Sequence, residues 1–227
     1  MAFPGLADRL AEIRGKIDSA VARGGHGQTV TVIAVTKTHG PEAVQAAYDA
    51  GLHDVGENKV QEALKKMEAV DVPVRWHLIG HLQRNKVKSL ERFTLLHSLD
   101  SARLADSVCA FGLGRGRAVD ALVEMNLSGE NSKHGFSVSE ILPEAERLVA
   151  LSGIRIRGVM TMASFTATET ELHRTFTEAR AAREVLSGAG HPATELSMGM
   201  SNDYEIAVEE GATMVRIGTT LFGARAK

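Results

Sequence analysis

Lys37 stands where the apolar run "TVIAV" passes through "TKTHG" into the helix-like segment "PEAVQAAYDAG". An amine at a strand end is either a solvated charge or, when partly desolvated near another cation, a neutral nucleophile able to form a Schiff base with an aldehyde. Three later segments bear on the choice. In "SMGMSNDYEIAVEEG", Ser201 precedes a helix pattern as a candidate cap, and the free N–H groups of such a helix start accommodate an anion. Asp203, in the first turn, suits the helix dipole but would oppose a phosphate if it turned inward. In "RIGTTLFG", Gly218 allows close backbone approach, while Thr219 and Thr220 offer hydroxyls. In "TMVRIG", strand alternation groups Met214, Arg216 and Gly218 on one face, with Val215 and Ile217 on the other. Arg216 then points away from the apolar pair, a costly place for a guanidinium that lacks a ligand or carboxylate partner. Taken one at a time, Ser201 is a helix cap and Gly218 a turn. Together they supply phosphate donors, a buried cation and an amine.

These side chains need a scaffold that brings strand ends to one place. After an amphipathic first helix over residues 1–25, apolar runs recur at 30–37, 53–58, 74–80, 93–99, 118–127, 154–162, 193–199 and 213–218. Between them lie segments with apolar residues at helical spacing and glycine near the C-terminal end. Alternating strands and helices imply a parallel sheet, because each parallel connection needs a crossover. With so many such units over 30–223, the economical fold is α/β, a (β/α)8 TIM barrel with the first helix packed outside or under it; the runner-up is an open doubly wound sheet. No linker or composition break divides the chain, so residues 1–227 are expected to form one domain. Barrel enzymes place their chemistry at the C-terminal strand ends, with phosphate commonly held after strands 7 and 8. Ser201 and Gly218 fall there. Alternation also groups Ile33, Val35 and Lys37, directing the lysine to the barrel mouth.

Composition narrows the functions. Acidic and basic residues nearly cancel, 28 against 26, so binding to nucleic acid or membrane surfaces through a general charge is not expected. The first helix lacks the long apolar core of a secretory signal or membrane span, and the expected location is cytoplasmic. The lone Cys109 excludes an intrachain disulfide and reads as packing. His77 and His81 in "HLIGH" imitate a metal pair, but they lack the glutamate of the zinc helix signature and sit at a strand end, so no metal is expected. "GLGRGR" at 112–117 follows a helix and precedes a strand, the reverse of a dinucleotide loop. Lys133 and His134, in "SGENSKHGF", form a solvated loop with a secondary role in cofactor transfer left open. The methionines at 160, 162, 198 and 200 read as packing that also lines a pocket.

A lysine, a phosphate cradle and an arginine are the parts needed to hold pyridoxal 5′-phosphate (PLP). At these residues the sequence resembles the pyridoxal phosphate homeostasis protein family, barrel relatives of alanine racemase. The resemblance is carried by "AVTKTH", "VGENKVQE", "WHLIGHLQRNK", "SKHGF", "GVMTM" and "LSMGMSNDYEIAVEEGATMVRIGTTLFG", and covers almost the whole chain. It implies that Lys37 carries the cofactor, that Ser201, Gly218 and Thr219 hold its phosphate, that Arg216 faces the pyridine nitrogen, and that Asn58 and Met160 line the ring pocket. Arg84 and Asn202 depart from the family pattern of serine or alanine, at positions outside the expected contacts. An arginine at the ring nitrogen disfavours its protonation and so weakens the ring as an electron sink. Racemisation would also need bases on both faces of the substrate carbon. In alanine racemase the second is a tyrosine from a separate domain, and here Tyr48 and Tyr204 both fall within helix patterns. The expectation is therefore a monomeric PLP carrier serving vitamin B6 homeostasis, with PLP-dependent apo-enzymes as possible recipients. A PLP-dependent racemase and a non-covalent binder of another phosphorylated metabolite stand as alternatives.

Overall fold

The computed structural model of the protein describes residues 3–127 and 134–223. Eight parallel strands, β1 (Thr31–Val35), β2 (Asp54–Glu57), β3 (Arg75–Leu78), β4 (Leu95–Leu99), β5 (Val119–Met125), β6 (Ile154–Thr161), β7 (Glu195–Met200) and β8 (Met214–Ile217), pair in chain order. β1 closes the ring against β8, with Thr31 opposite Met214 and Ile33 opposite Arg216. That last pairing makes the sheet a barrel and excludes the open doubly wound alternative.

The crossovers are α2 (Pro41–Asp49) after β1, α3 (Val60–Ala69) after β2, α4 (Ala102–Gly114) after β4, α5 (Val138–Val149) after β5, α6 (Glu169–Gly188) after β6, α7 (Tyr204–Glu209) after β7 and the single turn α8 (Thr219–Phe222) after β8. Local sequence starts several of them. Pro41 opens α2, where a missing N–H costs nothing. At α6, Thr168 Oγ1 accepts from Glu171 N–H at 3.4 Å while Glu171 accepts from Thr168 N–H at 2.7 Å, a reciprocal cap. The connection from β3 to β4 is instead a 3₁₀ stretch, Arg84–Arg92, burying Val87 and Leu90. Three residues per turn stack that i, i+3 pair on one side.

Alternation along the strands separates two apolar regions. Val32, Ala34, Val55, Leu78 and Leu96 face the helices in one continuous core, whereas Leu95, Leu122 and Met160 form a small cluster inside the barrel, with Met162 and Met214 against it. Among the methionines expected to line a pocket, Met198 belongs to the helix-facing core, because a single step along β7 moves a side chain to the opposite face.

The first helix, α1 (Leu6–Gly24), buries Leu6, Leu10, Ile13, Ile17 and Ala20, an i, i+3/i+4 stripe. It packs on α7 and α8. Arg9 Nε donates to Leu221 O at 2.8 Å, and Arg23 pairs with Glu209 at 2.6 Å. The helix also walls a cleft of about 590 Å³ at the N-terminal strand ends, lined by Arg14, Gln28, Asp54 and Arg75 among others. The helix thus packs against the outer helices and borders the N-terminal strand ends. Cys109 is buried in α4. "GLGRGR" ends α4 and turns into β5. Among the described residues no helix is long and apolar enough to cross a membrane.

Candidate functional site at the C-terminal end of the barrel

Lys37 lies in the turn that follows β1, two positions past Val35, and is half-buried. The backbone on either side of it is clamped from behind. Thr36 is fully buried and its Oγ1 donates to Glu57 Oε1 at 2.5 Å. Lys66, on α3, donates to Thr36 O at 2.7 Å, to Glu57 Oε1 at 2.6 Å and to Glu62 Oε1 at 2.9 Å. Glu62 in turn accepts from Thr38 N–H at 2.6 Å. Thr38 has φ of +69°, an uncommon conformation for a β-branched residue that persists only where surroundings enforce it. Burial pushes the Glu57 carboxyl up, and the bonds from Lys66 and Thr36 oppose that shift. Its Oε2 is buried without a hydrogen-bond partner, so the carboxylate depends on Lys66. The sequence shows the Glu62 and Lys66 pair at i, i+4, but not the burial of Glu57.

Arg216 projects inside the barrel, as alternation predicts, and is only 4% exposed. Its partners are neutral. The guanidinium donates to Ser197 O at 2.7 Å, Ser197 Oγ at 2.6 Å and Thr161 O at 2.9 Å. Burial lowers its pKa to about 10, against the pull of Asp203 and Glu124, so the charge persists at neutral pH.

From Ser197 a chain of polar groups runs down the barrel axis. Ser197 Oγ lies 2.9 Å from His97 Nδ1, His97 Nε2 lies 2.9 Å from His77 Nδ1, and His77 Nε2 lies 2.9 Å from Asp54 Oδ1. Asp54 also pairs with Arg75. Asp54 is held ionised and can only accept, so His77 donates to it from Nε2, and at the other end Ser197 Oγ accepts from Arg216; the directions between Ser197, His97 and His77 follow the tautomer of His97. The His97 imidazole is neutral. His97 suits that state, since burial, His77 and Arg216 all press its pKa well down. Although burial acts to raise Asp54, bonds from His77 and Arg75 hold its carboxyl at about 2. The supposed metal pair is therefore divided: His77 belongs to the interior chain, while His81 stands at the mouth with Nδ1 2.7 Å from Asp100 Oδ2.

The loops after β7 and β8, where phosphate-type donors are expected, meet next to the end of β1. Ser201 differs from expectation, because α7 begins at Tyr204 and Asp203 takes the cap position, its Oδ1 accepting from Met200 N–H at 2.5 Å. Ser201 Oγ instead accepts from Thr220 N–H at 3.3 Å, tying the β7 loop to the β8 loop. Gly218 packs over the end of β1, where an added Cβ would lie 3.4 Å from Val35. Thr219 opens α8 and is exposed. Gly199, near the end of β7, has φ of +91°, and a Cβ there would come within 2.6 Å of Ala207, so this position requires glycine. Asn58 follows β2 and is half-buried; Gly80 lies so close that a Cβ would sit 2.4 Å from Asn58 O. Met160 is buried in the interior cluster. Opposite it on β5 stands Glu124, a residue sequence reading passed over although alternation in "AVDALVEMNL" places it inward. Burial and the charge of Asp100 push its carboxyl up to about 7, with Arg216 opposing.

Neither tyrosine faces this end. The Tyr48 ring packs edge-on against His53, ahead of β2, and Tyr204 is buried with its hydroxyl in the field of Lys16 and Glu12 on α1. Lys133 lies outside the described residues, and His134 stacks on His81.

Comparison with known proteins agrees with this geometry. The alanine racemase N-terminal domain model matches residues 9–226. The chain is 39% identical over 222 residues to the pyridoxal phosphate homeostasis protein of Aquifex aeolicus, covering 96% of this chain and 97% of that one. It is 37% identical over 229 residues to the protein of the same name from Escherichia coli K12, covering 97% of each. The structure of PipY from Synechococcus elongatus PCC7942 with PLP bound superposes with a TM-score of 0.84 at 36% identity, covering 96% of this chain and 100% of that one. The motifs at the strand ends, the closed barrel and full-length similarity agree: the chain belongs to the pyridoxal phosphate homeostasis protein family, built on the alanine racemase N-terminal domain.

Proposed function

We propose that this protein binds PLP covalently through Lys37, holds it in reserve and delivers it to PLP-dependent apo-enzymes, acting as a monomer in the cytoplasm. The observation that carries the reading is the convergence, at one barrel end, of the clamped Lys37 turn, the Ser201 and Thr220 junction, and the buried Arg216. When bound, the cofactor supplies an aldehyde for the lysine amine and an aromatic ring. The chain supplies the rest. Gly218 and Thr219, beside Ser201, offer backbone and hydroxyl donors to a phosphate, Asn58 and Met160 border the ring, and Arg216 is the cation available to the pyridine nitrogen. The donor set suits the group: an amine for the aldehyde, hydroxyl and backbone N–H donors for the phosphate, and a cation for the pyridine nitrogen.

Holding rather than turnover is favoured by two features. The Arg216 charge persists at neutral pH and opposes a proton on the ring nitrogen. Tyr48 and Tyr204 both pack away from the mouth, which leaves no tyrosine there to act as a second base.

The test is the visible spectrum of the protein as purified, followed by borohydride reduction and peptide mass analysis. A reduced adduct on Lys37 and a colourless Lys37→Ala variant are expected. An equally yellow variant overturns the assignment, and absence of any adduct favours non-covalent binding of another phosphorylated metabolite. Racemisation of free amino acids at enzyme-like rates would establish the racemase alternative.

A further inference from the structure

Outside the residues assigned to the cofactor, His81, Asp100 and His134 meet at the rim of the same barrel end. His81 follows β3, Asp100 follows β4, and His134 lies between β5 and α5. Their ligand-type atoms all lie within 4.8 Å of one another. The His81 and His134 rings are stacked, with centroids 4.6 Å apart and 19° between their planes. The Asp100 side chain is 4% exposed whereas that of His81 is 49% exposed, so the carboxylate is anchored and the imidazole can be reached from solvent.

The surroundings prepare Asp100 for a cation. Ser101 Oγ donates to Asp100 Oδ1 at 3.0 Å, which leaves Oδ2 turned towards His81, and an outer hydrogen bond of this kind orients a ligating carboxylate. Asp100 immediately precedes Ser101, the N-cap of α4. The interior cation cannot compensate it directly, because the Arg216 donors go to Ser197 and Thr161. Two imidazoles and one carboxylate with an open solvent side match borderline divalent ions such as Zn²⁺, whereas Mg²⁺ favours an all-oxygen shell. The motif spacing of His77 and His81 could not reveal this set, since its members come from three separate strand ends.

We propose that His81, Asp100 and His134 form a binding site for a zinc-class divalent cation, with solvent in the fourth position. The site uses none of the PLP contacts, so it stands or falls apart from the cofactor assignment.

The full chain, treated with chelator and dialysed, is titrated with Co²⁺ as a spectroscopic stand-in for Zn²⁺. About one equivalent should develop d–d absorption bands of a low-coordinate N/O site, and Zn²⁺ but not Mg²⁺ should abolish them. His81→Ala, Asp100→Asn and His134→Ala should each lose the bands while keeping the far-ultraviolet dichroism of the parent. His173→Ala, which removes a histidine paired with Glu210 elsewhere, should keep them. Parent protein without a stoichiometric band, or bands that survive in the folded His81→Ala and His134→Ala variants, would overturn the proposal.

Discussion

At the residue scale, the barrel interior is ordered by a hydrogen-bond chain that runs from Arg216 through Ser197, His97 and His77 to Asp54. The far end of that chain has a measurable pH signature. Asp54 titrates at about 2 in the folded protein against 3.8 for an unperturbed aspartate. The ionised form is thus favoured by folding; the stabilisation is fully present above the unfolded value and is lost as pH falls through about 2. Roughly 2 kcal/mol is involved. In urea melts, Asp54→Asn should be less stable than the parent at pH 6, and the gap should narrow as pH approaches 2. A gap that stays constant with pH would refute the assignment. Arg216 was legible from alternation in "TMVRIG" alone. His97 and Ser197 were not, because they lie 100 positions apart and alternation names a face without naming the neighbour on it.

At the element scale, the turn bearing Lys37 is rigid because α3 reaches under it. Lys66 and Glu57 are 3% and 0% exposed, so removing one leaves the other as an uncompensated buried charge. Lys66→Met should cost about 3–5 kcal/mol in chemical denaturation. Glu57→Gln combined with Lys66→Met should recover a substantial part of that loss, since the amide no longer carries charge and can keep the Thr36 bond. If the double variant is as unstable as the single one, packing rather than charge dominates. The strands themselves were readable, each falling within its apolar run except β7, which extends one residue past 199, because buried parallel strands are nearly continuous in hydrophobic residues. The helix after β7 was readable in kind, but not in its first residue. Both Ser201 and Asp203 can cap, and the structure gives the cap position to Asp203 because Ser201 is drawn to the Thr220 N–H on the neighbouring loop.

At the scale of the whole molecule, closure between β1 and β8 brings the first and last strand ends together, and with them Lys37 and Gly218. α1 stabilises that junction from outside by packing on α7 and α8. Ile13, at 1% exposure, is central to its apolar stripe. Ile13→Ala should therefore lower the unfolding free energy by about 2–5 kcal/mol, seen as a lower urea midpoint with an unchanged slope. A loss below about 0.5 kcal/mol would mean that α1 is dispensable to the folded barrel.

By itself the sequence determined the alternation of strands and helices, the inward face of Arg216, the strand ends where Lys37 and the phosphate-type donors fall, and the family. Those features are local, set by periodicities of two and 3.6 residues and by turn residues. Only the tertiary structure decided which polar groups touch. The Glu57, Lys66 and Thr36 clamp, the Ser197 to Asp54 chain, and the meeting of His81, Asp100 and His134 each join separate elements. Their partners depend on barrel closure, on the register between strands, and on the irregularities that shift it between β4 and β5 and between β7 and β8. A shift of one residue turns a side chain to the opposite face, and no local pattern specifies where along the neighbouring strand that shift occurs.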